Sequence, residues 1–406
     1  MTNVSSSNGL EKRPKLRFPG FDEPWKETSL SALFSKSTQK NADGHITNVI
    51  CNSAKLGLIP QREYFDKDIA NSDNTSGYYI IRQNDFVYNP RKSSDAPYGP
   101  ISSYKYAEDG IVSPLYLCFH AKGEINPLYY EWYFRSSAWH RYIYMSGDSG
   151  ARHDRVSIKD DTFFAMPINL PSEQEQSKIA SFLQSLDERI TAQEKLVASL
   201  KKYKRGLLNK LFSNINSNIY PTVYLSEVAD FLQGLTYSPS DVSVSGYLVL
   251  RSSNIQNGML SFDDCVYVDK KVDESLQVKC DDVIMCVRNG SKNLVGKTAL
   301  IPPNMPMTTW GAFMMIIRSK LNDTYIFHYL NSQMFFSQVF KDTGTATINQ
   351  ITKGILNECR LPLPPETERK QISKMLSSFD AKIQNAEKCL ATLVNLKKAL
   401  LQQLFI

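Results

Sequence analysis

The sequence has 406 residues, 42 % of them hydrophobic and 22 % charged, and a formal net charge of +6. These values are typical of a globular protein with two or three domains, and the mild positive charge permits a polyanionic partner without requiring one. The seven cysteines are odd in number and contain no C-x-x-C motif, which argues against a disulfide scaffold or a zinc site. No apolar run reaches membrane-spanning length, so we expect a cytoplasmic protein without membrane contact.

The first part of the chain is predicted to be a strand-rich α+β domain. Residues 1–14 are polar and aperiodic, and we expect a disordered tail there. Residues 15–169 contain short aromatic and β-branched runs, such as Phe86-Val87-Tyr88, that are broken by Gly, Pro, Asn and Asp. These are strand and turn signals. One amphipathic stretch, Pro127 to Met145, favours a helix.

A long helix is predicted over residues 170–213. Its apolar residues recur with alternating steps of three and four, which is the seven-residue repeat of a coiled coil. Gln193 and Lys204 fill two gaps in this seam. Such a helix needs a partner because its apolar stripe would otherwise face water. The predicted seam residues are Ile179, Leu183, Leu186, Ile190, Val197 and Leu200, followed by Leu207 and Leu211.

The rest of the chain repeats this order. Residues 214–361 resemble the first domain loosely, with Asp282 to Arg288 matching Asp85 to Arg91 and Val295-Gly296 matching Tyr98-Gly99. Residues 362–406 match the first long helix without a gap when 193 is added to each number, so that Lys204 corresponds to Lys397. The second seam consists of Ile372, Leu376, Phe379, Ile383, Leu390 and Leu393, together with Ala386, Leu400 and Leu404.

Connectivity predicts that the two helices are antiparallel. The second domain starts where the first helix ends, and the second helix starts where that domain ends. The second helix must therefore run back along the first to bury both seams. The fold class predicted is α+β, with two strand-rich domains joined by a long antiparallel two-helix coiled coil in a pseudo-twofold tandem duplication. Two similar domains in opposite orientations suit a ligand with its own dyad, such as duplex DNA.

This arrangement resembles the specificity subunit of Type I restriction-modification systems. The resemblance covers nearly the whole chain and is carried by three kinds of segment. The opening Leu16 to Phe21, the helix entries at Leu170-Pro171 and Leu363-Pro364, and the duplicated Leu-Phe helix endings fit in that order. The resemblance implies two target-recognition domains that each read one half of a split DNA site. It also implies that the helices set the spacer and dock two methylation subunits, with restriction subunits joining through the complex.

The sequence lacks the motifs of the chemistry that such a complex performs. Asn89-Pro90-Arg91-Lys92 has only the first half of the Asn/Asp-Pro-Pro-aromatic loop of an amino-methyltransferase. The chain contains no G-x-x-x-x-G-K-[ST] loop for ATP, and its five histidines show no metal-ligand spacing. We therefore expect a chain with no catalytic residue, metal or cofactor of its own. The resemblance implies S-adenosylmethionine, ATP and Mg²⁺ in the partner subunits.

Candidate DNA-binding residues are polar or basic side chains on turn-rich loops, because such groups read base edges and phosphates. A second polar cluster, at residues 251–254, has a possible mirror in Asn52, Ser53 and Lys55. The loops at 147–155 and 342–349 are further candidates. The chosen residues are Asn89, Arg91, Lys92, Ser93, Ser94 and Tyr98 in the first domain, and Arg251, Asn254, Arg288, Asn289, Ser291, Lys292, Asn293 and Lys297 in the second.

Two alternatives stay open at this point. The chain could be the specificity part of another bipartite restriction system, whose partner subunit both methylates and cuts. It could also be a scaffold in which a coiled coil holds two protein-binding domains and DNA has no part. Salt-dependent affinity for a duplex with two half-sites separates the scaffold from both DNA-binding readings.

Overall fold

A computed structural model describes residues 2–3, 12–64, 75–147, 153–213, 219–341 and 350–406. The chain divides into two compact units, residues 1–192 with 389–406 and residues 193–388. Of the predicted tail, Thr2–Asn3 pair with Leu16–Arg17 as a two-residue strand, and residues 4–11 lie outside the described residues. In the described part of the chain, none of the helices is both long and apolar enough to cross a membrane.

The first unit contains a four-stranded antiparallel sheet in the order β4-β11-β8-β9. Phe34, Phe86 and Phe119 on three of these strands are fully buried and pack edge-to-face or stacked against each other. The strands are β1 Thr2–Asn3, β2 Leu16–Arg17, β3 Lys26–Ser29, β4 Phe34–Ser37, β5 Ile50–Ser53, β6 Gly57–Pro60, β7 Tyr79–Ile81, β8 Phe86–Tyr88, β9 Ile101–Ser103, β10 Gly110–Val112, β11 Leu117–Ala121 and β12 Pro167–Leu170. The helices are α1 Leu30–Leu33, α2 Gln61–Tyr64, α3 Pro127–Arg135, α4 His140–Ser146, α5 Asp160–Phe164 and α6 Glu173–Leu211, of which residues 173–192 belong to this unit.

The second unit repeats the four-stranded sheet, in the order β14-β23-β20-β21. It adds a sheet in the order β15-β19-β16-β22, in which β16 and β22 are parallel. The strands are β13 Thr222–Tyr224, β14 Ala229–Gln233, β15 Val242–Ser243, β16 Tyr247–Leu250, β17 Ile255–Gln256, β18 Met259–Leu260, β19 Tyr267–Val268, β20 Val283–Cys286, β21 Thr298–Leu300, β22 Thr308–Trp310, β23 Met314–Ser319 and β24 Arg360–Pro362. The helices are α7 Leu225–Val228, α8 Tyr325–Leu330, α9 Gln333–Val339, α10 Lys353–Glu358 and α11 Glu366–Gln403, of which residues 389–403 belong to the first unit.

The duplication is visible in how each domain is tied to the start of its long helix. In the first unit, β3 pairs antiparallel with β12, which leads into α6. In the second unit, β13 pairs antiparallel with β24, which leads into α11. A four-residue helix follows the first strand of each pair, at Leu30–Leu33 and Leu225–Val228. The predicted α+β fold and tandem duplication are confirmed.

The two long helices pack against each other in both units. In the first unit, Ile179 and Leu183 share a buried cluster with Leu400 and Leu404. In the second unit, Leu208 shares one with Leu376. In the second unit, Gln193 contacts Ala386 and Lys204 pairs with Asp380, so residue numbers rise along one helix as they fall along the other, and the predicted antiparallel pairing is confirmed. Ile179, Leu183, Leu186, Ile190, Val197, Leu376 and Ile383 are buried, and Leu200, Ile372, Phe379, Leu390 and Leu393 are half-buried.

The polar interruptions of the seam form a duplicated pair of ion pairs. Lys204 pairs with Asp380 in the second unit, and Lys397 pairs with Asp187 in the first. Subtracting 193 converts Lys397 to 204 and Asp380 to 187, so the same pair occurs twice. A lysine in an apolar seam costs stability unless it finds a carboxylate, and such a pair specifies one register of the helices. Gln193, at the other gap, donates from Nε2 to the Ala386 carbonyl oxygen at 2.9 Å.

The C-terminal end of each long helix inserts an aromatic ring into the domain that belongs to the same unit, and the two contacts are alike. Phe405 contacts Tyr129 and Tyr133, with ring centroids 5.7 and 6.1 Å away. In the second unit, Phe212 contacts Tyr325 and Tyr329, at 5.1 and 5.8 Å. Tyrosines four residues apart face the same side of a helix, so both can contact one ring. The Leu-Phe helix endings are therefore anchors between helix and domain.

These equivalent contacts place Trp132 and His328 at the same position, three residues after the first tyrosine. The Lys397 ammonium nitrogen lies 4.9 Å from the Trp132 ring centroid. His328 is 1 % exposed, and its Nδ1 lies 3.9 Å from the carboxylate of Asp380. Burial and, to a smaller extent, the positive charge of Lys204 lower the pKa of His328 to about 3. The imidazole is therefore neutral in the folded protein at neutral pH.

We expect the second unit to lose stability as the pH falls below about 6.5, the ordinary pKa of histidine. The unfolded chain binds a proton at His328 in that range and the folded chain does not, so protons favour unfolding. The contribution of neutral His328 to the free energy of unfolding is complete above pH 6.5. It falls by up to about 1.4 kcal/mol per pH unit as the pH is lowered toward the folded pKa. Urea unfolding of the second unit, monitored by hydrogen exchange at several pH values between 7 and 5, measures this loss of stability.

Two variants serve as controls. A His328→Gln variant should lack this dependence of stability on pH. A His45→Gln variant should keep it, because the native His45 side chain is 84 % exposed. An equal slope in all three proteins would contradict the assignment.

Candidate nucleic-acid interface

The predicted DNA-binding loops occupy the same place in the two domains. One follows β8 and the other follows β20, each a central strand of the four-stranded sheet. The turns that enter these strands also match. Asp85 accepts a hydrogen bond from the Arg82 backbone nitrogen, and Asp282 accepts one from that of Lys279, both at 2.7 Å. The predicted match of Asp85 with Asp282 is therefore confirmed by equivalent contacts.

A glycine closes each loop where no other residue fits without strain. Gly99 has φ +83° and Gly296 has φ +87°. A Cβ atom on Gly99 would lie 2.1 Å from the Asn89 carbonyl oxygen. The Asn89 backbone nitrogen donates to the Pro100 carbonyl oxygen at 3.0 Å, and this hydrogen bond holds the two ends of the loop together. The loop therefore presents its intervening residues on a rigid base.

The first-domain loop exposes Arg91, Lys92 and Ser94 to solvent. They lie on or beside a groove of about 780 Å³ that Lys55 and Arg155 also line. Residues 52–55, which were predicted to mirror the polar cluster at 251–254, line this groove as well. Four basic side chains and one acidic side chain line the groove, so its charge suits a polyanion. Ser93 is exposed too, and its Oγ accepts a hydrogen bond from the Ala96 backbone nitrogen at 3.1 Å.

Two of the first-domain candidates, Asn89 and Tyr98, make contacts within the protein that hold the loop in place. The Asn89 side-chain oxygen accepts from the Arg91 backbone nitrogen at 3.1 Å, and its amide nitrogen donates to the Asn52 carbonyl oxygen at 3.3 Å. The Tyr98 ring is half-buried against His140, with ring centroids 4.8 Å apart. Burial lowers the pKa of His140, which keeps that contact uncharged. Asn89 and Tyr98 therefore support the loop, and their predicted contact with DNA stays a prediction.

The second-domain loop exposes Arg288, Ser291, Lys292, Asn293 and Lys297. The Arg288 guanidinium lies over the Phe313 ring, 5.3 Å from its centroid. Asn289 accepts from the Ser291 backbone nitrogen at 2.9 Å and donates to Ser252 Oγ at 3.1 Å. The second bond brings the predicted polar cluster at 251–254 beside the loop.

The polar cluster itself is mostly structural. Asn254 is 0 % exposed, and its amide nitrogen donates to the carbonyl oxygens of Ser261 and Asp264 at 3.0 Å. The side-chain oxygen of Asn254 accepts from the Arg251 backbone nitrogen at 2.9 Å. The Arg251 guanidinium is half-buried and pairs with the carboxylate of Asp264 at 2.8 Å. Asn254 is therefore corrected to a buried turn residue, and Arg251 is engaged within the domain.

Sequence reasoning missed residues next to both arginines. Leu115 lines the first groove with Arg91, and it is 61 % exposed. Phe313 is 59 % exposed and lines a second groove, of about 340 Å³, with Arg288 and Gln350. Leu115 and Phe313 both lie in apolar runs that are typical of strands, and such runs predict buried side chains. The sequence pattern therefore gave no sign that either side chain is exposed. Of the loops at 147–155 and 342–349, residues 148–152 and 342–349 lie outside the described residues.

Both halves of the chain are similar to known proteins. The chain matches the family described as "Type I restriction modification DNA specificity domain" twice, over residues 32–202 and 220–394. It is 28 % identical to the EcoKI specificity subunit of Escherichia coli (strain K12) over 40 % of this chain and 36 % of that protein. It is also 28 % identical to the StySPI specificity subunit of Salmonella potsdam over 41 % of this chain and 38 % of that protein. The chain thus spans less than two fifths of the length of each of these relatives.

A solved structure shares the fold over nearly the full length. The S subunit of a Type I restriction-modification system from M. genitalium superimposes with a TM-score of 0.58, covering 97 % of this chain and 99 % of that chain. The sequences are 16 % identical, so the likeness concerns the fold alone. It agrees with the two α+β domains and the paired long helices described above.

Proposed function

Because the chain belongs to the family of Type I restriction-modification DNA specificity proteins, we propose that it gives such a complex its DNA sequence specificity. Each of its two specificity domains reads one half of a bipartite site. The observation that carries the proposal is the duplicated loop after β8 and β20, which exposes Arg91 in one domain and Arg288 in the other. Basic side chains on a rigid loop suit the DNA backbone and the base edges beside it.

The long helices have a separate role in the proposal. They set the spacer between the half-sites and dock two methylation subunits, and restriction subunits join through the complex. Large apolar side chains that stay exposed on the helices, Leu196, Tyr203, Met375 and Leu396, support a docking role. Such side chains favour burial against another protein over contact with water.

The chemistry belongs to the partners in this proposal. The chain acts in the cytoplasm as a non-catalytic subunit, and S-adenosylmethionine, ATP and Mg²⁺ bind to the partner subunits. The alternative of another bipartite restriction system, with one partner that both methylates and cuts, uses the same two loops. Genes next to the one for this chain distinguish these two systems. The scaffold alternative requires no basic loop in either domain, and the structure exposes one in both.

The test is duplex binding by the complex of this chain with its methylation subunits. We expect selection of one bipartite sequence from a random duplex pool, with affinity that falls steeply between 50 and 200 mM salt because phosphate contacts release counterions. The Arg91→Ala/Arg288→Ala double variant should weaken binding to every duplex. The slope of log affinity against log salt should become less negative by about 2, about one for each phosphate contact removed. A complex that assembles but shows no sequence preference and no salt dependence would favour the scaffold.

A further inference from the structure

We propose that each specificity domain reads its half-site with three neighbouring side chains, one shared and two different. The shared arginine holds a phosphate, and the two side chains that differ contact base pairs, so they make the two half-sites different. This inference rests on the proposed function and names the residues that carry it. The two sets are Arg91, Leu115 and Arg155 in the first domain and Arg288, Phe313 and Gln350 in the second.

Strand register places the first set. Leu117 of β11 pairs with Tyr88 of β8. Leu115 precedes Leu117 by two residues, and Arg91 follows Tyr88 by three. Arg91 also forms an isolated antiparallel bridge with Arg155. The end of β8, the turn before β11 and the segment at 155 therefore meet beside one groove.

The same register places the second set. Met315 of β23 pairs with Met285 of β20. Phe313 precedes Met315 by two residues, and Arg288 follows Met285 by three. Arg288 forms an isolated antiparallel bridge with Gln350. The backbone relations are those of the first domain, so each member of one set has a counterpart in the other.

The chemistry of these side chains fits duplex DNA. Neither Arg91 nor Arg288 makes an ion pair with a residue that the structure describes, so both charges are available to a phosphate. Leu115 and Phe313 each expose about three fifths of their surface beside that charge. An apolar side chain next to a phosphate-binding arginine can contact the methyl group of thymine, the apolar feature of the major groove.

The third pair differs in hydrogen-bonding capacity. Gln350 is exposed, and its amide can bind N6 and N7 of adenine with two hydrogen bonds. Arg155 can do the same to O6 and N7 of guanine. Its Nε is buried without a hydrogen-bond partner within the described part of the chain and lies 3.9 Å from the carboxylate of Asp154, and its side chain as a whole is about one third exposed, at 35 %. A shared arginine would give both domains equal backbone affinity, whereas these differing pairs would give them different sequences.

The experiment exchanges the differing pairs within the assembled complex. Leu115→Phe/Arg155→Gln gives the first domain the second domain's pair, and Phe313→Leu/Gln350→Arg does the reverse. Selection from a random duplex pool at fixed salt should show, for each variant, at least one position in one half-site where base preference changes by about tenfold or more, with the other half unchanged. All four side chains lie at the surface or half-buried, so the fold should survive.

Two comparisons separate the possible outcomes. Val244→Leu, an exposed apolar change in the second domain outside the groove of Phe313, should leave the motif unchanged. If the native complex selects a bipartite motif and both exchange variants still select that native motif, this inference is wrong and the proposed function stands. If the native complex selects no motif, the proposed function fails and the inference fails with it.

Discussion

Replacing Leu183 by aspartate is expected to unfold the first unit, and replacing Leu376 by aspartate is expected to unfold the second. Both leucines are 0 % exposed and lie in the buried clusters that join helix to domain. Removing such a side chain costs about 2–5 kcal/mol. An unpaired buried carboxylate adds several kcal/mol more, against a typical total stability of about 5–15 kcal/mol. Limited proteolysis and calorimetry of the full chain measure the loss.

The duplication provides matched controls for this prediction. Ser181 and Lys374 differ by 193, as Leu183 and Leu376 do, and both are exposed on the same helices. Ser181→Asp and Lys374→Asp should melt within a few degrees of the native chain, because surface substitutions usually change stability by less than about 0.5 kcal/mol. A Leu183→Asp protein that resists protease as well as Ser181→Asp would contradict the assigned core.

The long helices could be predicted because their signal is periodic and occurs twice. The seven-residue repeat predicted helices over 170–213 and 362–406, and the structure has them at Glu173–Leu211 and Glu366–Gln403. Lys204 and Lys397 were expected to affect register. Their partners, Asp380 and Asp187, could not be assigned from sequence because the pairing depends on how far the helices overlap.

The candidate site could be predicted only in part, because a polar residue on a loop has two possible uses. Arg91 and Arg288 lie in equivalent exposed places, as the aligned sequences suggested. Asn254 and Asn89 have the same polar character but hydrogen-bond to their own loops. Composition does not distinguish an asparagine that supports a turn from one that extends to a ligand. Leu115 and its counterpart were missed for the opposite reason, since apolar residues in strand-like runs are usually buried.

Exchanging residues 214–362 for those of a relative is expected to replace one half of the recognised sequence and leave the other half intact. The exchange carries β13 and β24 together, so the strand pair that joins this domain to α11 remains whole. It leaves the first domain and both long helices unchanged. Binding energy for one half-site comes from the exchanged loops, and the spacer should stay constant because the helices stay the same.

A map of methylated bases in the genomes of three strains measures most directly whether each domain reads its own half-site. One strain lacks this chain, one carries the native chain and one carries the exchanged chain, all with the same partner subunits. We expect no bipartite motif in the first strain, one motif in the second, and a motif in the third that keeps one half and the spacer. If the third strain shows the same motif as the second, or a motif changed in both halves, the claim that each domain reads its own half-site is wrong.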